Sequence, residues 1–130
     1  MKTMLTFLLL GLSTLTLAKT ELASGDYGVK VKDRAGNVHH CTLEIQNNIT
    51  EQYLVLNIND CPPPVKDIAL FYFEDEGVYL SDKIEADTRR GGFKVYEIEA
   101  KSSTKFIMTS YREYGDGGVA KPRKVQAILK

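Results

Sequence analysis

Net charge is the first thing this sequence lacks: 17 Lys and Arg face 17 Asp and Glu. That balance argues against the basic footprint of a nucleic-acid binder. Lys121, Arg123 and Lys124 cluster near the end, where a solvated strand end accounts for them. Histidine is scarce too. His39 and His40 are the only two, and they are adjacent. Neighbouring side chains of a strand point to opposite faces, so the pair cannot readily chelate one ion. Structural zinc wants four ligands, and no third ligand stands at suitable spacing. The acidic run Glu74-Asp75-Glu76 lacks the alternating pattern of a calcium loop and reads as a solvated hairpin tip. No G-x-S-x-G occurs, and no free cysteine stands beside a histidine. The expectation is a protein without catalysis, metal or cofactor.

Long apolar runs are also missing. A membrane span needs about 20 predominantly apolar residues, and none of that length is present. A short apolar stretch lies at the start, where Lys2 precedes Phe7-Leu8-Leu9-Leu10 and Leu15-Thr16-Leu17-Ala18 follows. A basic start, a short apolar middle and small residues at the end form the pattern of a cleaved secretory signal. Residues 1–18 are therefore expected to be removed near Ala18–Lys19, leaving residues 19–130 as one domain, secreted and extracellular. Loss of Lys2 leaves 16 basic residues against 17 acidic.

Only two cysteines occur, Cys41 and Cys61, far from the spacing of a C-x-x-C redox motif. In an oxidising compartment they are expected to pair. The short loop between them gives such a bond a stabilisation of about 3 kcal/mol.

What the sequence does contain is alternation. Tyr27, Val29 and Val31 share one strand face, with Lys30 and Lys32 on the other. Cys41, Leu43 and Ile45 alternate with Thr42, Glu44 and Gln46, and Leu54, Leu56 and Ile58 repeat the pattern. This is the mark of a sheet with one dry and one wet face. Ile68-Ala69-Leu70-Phe71-Tyr72-Phe73 is apolar on both faces and suits a strand covered twice. Further strands are expected at Val78–Ile84, Phe93–Ala100, Lys105–Tyr114 and Arg123–Leu129. A face switch within Phe93–Ile98 suggests a bulge. Seven or eight short strands at turn spacing, without a helical period, predict an all-β antiparallel β-sandwich, transthyretin-like or immunoglobulin-like. Its expected core is Val29, Val31, Leu43, Ile45, Leu54, Leu56, Ile58, Leu70, Phe93 and Val95.

Asn48-Ile49-Thr50 is a glycosylation sequon. Two glycine-bearing loops are the candidate binding segments: Arg89, Arg90, Gly91 and Gly92, and Gly115, Asp116, Gly117 and Gly118. Glycine lets backbone approach a partner closely, and guanidinium forks suit carboxylate or phosphate.

From Cys61 onward the order of features resembles the nematode transthyretin-like family. The residues that carry the resemblance are Cys61-Pro62-Pro63-Pro64 leading into Ile68–Tyr72, Asp87-Thr88 before Gly91-Gly92-Phe93, Tyr111–Gly117, and the basic pair Arg123-Lys124 after Pro122. The family's Thr-Asp order is reversed at Asp87-Thr88, and Tyr114 stands where a cysteine is usual. The resemblance implies secretion, a transthyretin-like sandwich and a carrier or adaptor for a lipid, a small apolar ligand or an extracellular protein. It does not imply the related hydrolase, whose histidine–arginine set and C-terminal Tyr-Arg-Gly-Ser are absent. The alternative is a secreted venom component or effector acting on a protein of another organism.

Overall fold

The computed structural model describes residues 19–61, 65–85, 91–115 and 117–130. The expected signal segment 1–18, Pro62 to Pro64, Asp87 to Arg90 and Asp116 lie outside the described residues.

Alternation becomes strands where it was legible. Among the described residues there are nine: β1 (Gly25–Lys32), β2 (Val38–Asn48), β3 (Tyr53–Ile58), β4 (Val65–Phe73), β5 (Val78–Ser81), β6 (Ile84–Glu85), β7 (Phe93–Ser102), β8 (Lys105–Glu113) and β9 (Arg123–Leu129). All pairings are antiparallel, each mostly between chain neighbours. The meander then shuts on itself. β9 returns to β1 through Tyr27↔Leu129 and Val29↔Ala127, and β5 pairs with β7 through Tyr79↔Ile98 and Leu80↔Glu97. β6 only prolongs the edge of β7 at Ile84↔Lys94.

The all-β, antiparallel expectation stands, but the sandwich does not: eight strands form a closed barrel. A barrel has one interior, so each strand turns a single face inward and the core runs around the ring as one layer of side chains. Closure also removes free edges that an open sheet would offer to another chain.

Tyr27, Leu43, Ile45, Leu54, Leu56, Leu70, Ile98 and Phe106 are fully enclosed. The Tyr27 and Phe106 rings lie tilted with centroids 4.9 Å apart. With this filling the barrel axis is packed, as expected for eight strands whose interior is just wide enough for side chains.

Core assignments change in three strands, and in β1 the expected core residue Val31 is only half-buried. In β4 Leu70 points inward, but Phe71 and Phe73 are 46% and 50% exposed, because the outer face of a barrel has no second layer to cover it. In β7 the buried phase is Tyr96 and Ile98, whereas Phe93 is exposed and Val95 half-buried. The β8 register decides this. Ile98↔Met108 and Ala100↔Phe106 hold the buried side chains of both strands on one face. That register is continuous from Phe93 to Ala100, and its irregularity falls between Ala100 and Ser102. A second one falls between Leu56 and Ile58 opposite β4, where Asp67 takes φ of 55° and its N–H donates to Asn57 Oδ1 at 2.9 Å. The bulge thus lies outside Phe93–Ile98.

Cys41 and Cys61 form the disulfide, with Cα atoms 5.6 Å apart. It fastens the β3–β4 connection to the buried side of β2. Both histidines are exposed. His39 Nε2 lies 2.8 Å from Asp33 Oδ2, a contact that, with the Asn37 N–H, holds the Asp33 carboxyl below its usual range.

Candidate functional site

The two ends of the barrel differ. One end carries the β1–β2 turn, the β3–β4 connection with Cys61, and the loops before β7 and β9. Of the two predicted binding loops, the described residues Gly91, Gly92, Gly115, Gly117 and Gly118 belong to this end. Their glycines serve the fold in different ways. Gly92 has φ of 99°, and a Cβ there would fall 2.7 Å from Tyr114 Cα, against the Glu113 carbonyl. Its missing side chain is thus used internally, to let the start of β7 approach the end of β8. Gly117 closes a tight turn: its N–H donates to Tyr114 O at 3.0 Å, and Tyr114 N–H donates to Gly118 O at 2.7 Å. Beside this turn a cleft of about 190 Å³ is lined by Lys94, Ser110, Arg112, Lys121 and Arg123 among others.

The other end is built from a segment that the alternation does not reveal. Residues 19–24 cross it as a strap. Leu22 is 1% exposed and drops into the core. Backbone and side-chain bonds pin the strap around it: Ala23 N–H donates to Ser103 O at 2.8 Å, and the Tyr27 hydroxyl donates to Ala23 O at 2.6 Å. Asn47 Nδ2 donates to Leu22 O at 2.7 Å, and Asn47 N–H donates to Ser24 Oγ at 2.9 Å. Each of these anchors falls at Leu22 or beyond, so Lys19, Thr20 and Glu21 overhang the rim.

Beneath the overhang lies a cleft of about 590 Å³, lined by Lys19, Glu21, Gln52, Tyr72, Glu74 and Tyr79 with their neighbours. That is the size range of small-molecule sites. The floor comes from a cross-strand pair. Tyr72 of β4 and Tyr79 of β5 stand opposite each other, their rings tilted by 56° with centroids 5.0 Å apart. Lys19 Nζ sits over both, 4.3 Å from the Tyr72 centroid and 5.3 Å from that of Tyr79. Its charge is met by Glu21 Oε1 at 3.5 Å. The Lys19 side chain is only 15% exposed although it is a flexible chain at a rim.

The Tyr79 hydroxyl is buried and, among the described residues, has no hydrogen-bond partner. Burial, reinforced by the negative charge of Glu21 and by Tyr72, pushes its pKa up from 10.0 to about 12. The phenol is therefore neutral through the physiological range. A raised pKa means that its stabilisation is fully present below pH 10 and is lost as pH rises through about 12. Phenolate absorbance should show a step near pH 12 that is absent from Tyr79→Phe, and the alkaline loss of stability should be smaller in that variant.

Asn48 ends β2 beside this mouth. Its Nδ2 donates to the Tyr53 hydroxyl at 3.3 Å and its Oδ1 accepts from Glu51 N–H at 3.1 Å. Among the described residues, no three His, Cys, Asp or Glu side chains gather in a way that could hold a metal ion. Compared with protein families, with curated proteins and with solved structures, the chain finds no match.

Tyr72, Tyr79, Lys19 and Glu21 were not among the residues singled out by sequence reasoning. The available signal was slight. Tyr72 lies two residues beyond Leu70 on the inward face, and Lys19–Ser24 follows the expected cleavage point without an assigned role.

Proposed function

We propose that this chain is exported, loses residues 1–18 and acts outside the cytosol as a non-catalytic binding protein. Its ligand site is the strapped mouth over Tyr72 and Tyr79. One observation carries this reading: an open cleft of ligand size with an aromatic floor and a buried hydroxyl that has no partner among the described residues. Such sites combine apolar walls with a few placed polar groups. The disulfide is compatible with an oxidising compartment.

A lipid carried inside the barrel is disfavoured, since among the described residues large side chains such as Tyr27, Leu43, Ile98 and Phe106 fill the core. A small ligand at the mouth fits better. The carrier role implied by the transthyretin-like resemblance is retained in that form, supported by the order of residues from Cys61 onward. Glycosylation at Asn48 belongs to the same proposal and would place a glycan beside the mouth.

The test is protein-observed NMR on material recovered from culture medium, with its N-terminus read by mass spectrometry. Titration with a panel of small aromatic fragments should perturb the amides of Thr20, Gly77, Tyr79 and Ala100. Perturbations confined to the disulfide-bearing end, or none at all, would refute the site.

A further inference from the structure

We propose that the cleft takes a small organic amine, whose ammonium group occupies the place now held by Lys19 Nζ. This rests on the reading of the strapped mouth as the ligand site and names the ligand class for it.

Lys19 is an alkylammonium delivered on a tether, and its surroundings define what the site recognises. Two aromatic faces lie within 4.3 and 5.3 Å of the charge. A ring face carries the negative part of the aromatic quadrupole, so paired rings with a cation above them form a site selective for organic cations. Glu21 stands 3.5 Å from the same nitrogen, and Glu74 lines the cleft as a second carboxylate. The Tyr79 hydroxyl adds buried lone pairs with no partner among the described residues. Apart from Lys19, no Lys or Arg lines the cleft among the described residues. Once Lys19 is displaced, the lining holds two carboxylates, two phenol rings and an amide side chain. This set attracts a cation and repels an anion.

The tether is able to leave. Leu22, Ala23 and Ser24 carry the strap's anchors. Upstream of them, Lys19 and Glu21 are held by their mutual contact, by the two rings and by a weak bond from Asn47 Nδ2 to Glu21 Oε2 at 3.4 Å. Lys19 can therefore swing out while Leu22 stays in the core. It acts as a tethered competitor that lowers affinity without blocking entry.

The experiment compares phenethylamine with 2-phenylethanol, which has the same ring and chain length and no charge. Calorimetry and NMR at neutral pH are applied to wild type, Lys19→Met and Lys19→Met/Tyr72→Leu. The amine should bind about tenfold more tightly than the alcohol. Lys19→Met should raise amine affinity about threefold, the equivalent of one partly exposed cation–π contact. Adding Tyr72→Leu should lower it about fivefold; if that variant misfolds, Tyr79→Phe, which keeps the ring, should lower it about twofold. Equal binding of both compounds at the cleft, unchanged by Lys19→Met, would overturn the ammonium assignment and leave the cleft reading intact. Absence of binding by both compounds in wild type and Lys19→Met would overturn both.

Discussion

Replacement of Cys41 and Cys61 by Ser should lower unfolding stability by about 3 kcal/mol or more. The bond closes a loop with a sequence separation of 20, for which the chain-entropy account gives about 3 kcal/mol. A further cost arises because Cys41 is 4% exposed. A serine hydroxyl there enters an apolar wall, and a buried polar group without a partner is unfavourable by about 1–3 kcal/mol. Cys61→Ser and Cys41→Ser each break the bond, but Cys41→Ala with Cys61→Ser avoids the buried hydroxyl. The difference between the Ser/Ser and Ala/Ser variants in urea denaturation isolates the hydroxyl contribution. Stability unchanged in both would mean that the β3–β4 connection is held by other contacts. The effect should be local as well as global. Amide exchange should rise first in the last residues of β3 and the first of β4, because the disulfide ties their connection to the barrel wall.

Ile98→Ala should cost about 2–4 kcal/mol and should loosen one seam in particular. Ile98 is completely buried, and truncation of such a side chain loses both its transfer from water and the contacts around the cavity left behind. Its position matters as much as its size. Ile98 pairs with Tyr79 across β5 and β7, the junction that closes the ring. β5 has only four residues, so this seam has few ladder bonds of its own and depends on packing. Ser81 supplements it by accepting Tyr96 N–H on Oγ at 2.9 Å. Hydrogen exchange in Ile98→Ala should therefore accelerate in β5 and β7 more than in β1 and β2. Leu43→Ala, equally apolar and in the middle of the β1–β2–β3 wall, serves as the control. Uniform acceleration in both variants would show that the seam is no weaker than the rest of the ring.

These two experiments probe the features that were, respectively, visible and invisible in the amino-acid order. The disulfide was visible because the sequence holds only two cysteines, so each has one possible partner in the chain. The inward faces of β1, β2 and β3 were visible because period-two alternation is a local property that any half-buried strand must satisfy. The phase of β7 was not. In Phe93-Lys94-Val95-Tyr96-Glu97-Ile98 both phases carry apolar residues, and the choice between them was made by the register with Phe106 and Met108 of β8. Phe71 and Phe73 misled for a related reason. Apolar residues on both faces are compatible with double cover, yet here Phe71 and Phe73 lie on the outer wall, where the Phe71 ring sits tilted beside Tyr53 of the next strand with centroids 5.9 Å apart.

Amino-acid order by itself determined the strands, the inward faces of most of them, the all-β antiparallel class and the cysteine pair, because each depends on neighbours in the chain or on simple counting. Tertiary structure alone decided between sandwich and barrel, since both present one dry and one wet face along every strand. The difference lies in whether β5 meets β7 and β9 meets β1. It also decided the candidate site. The cleft exists because residues far apart in sequence, Lys19 in the strap and Tyr72 and Tyr79 in the wall, are brought to one mouth by ring closure and by the anchoring of Leu22 in the core. No local pattern encodes that meeting, because a side chain's neighbours across a closed barrel are set by shear and register.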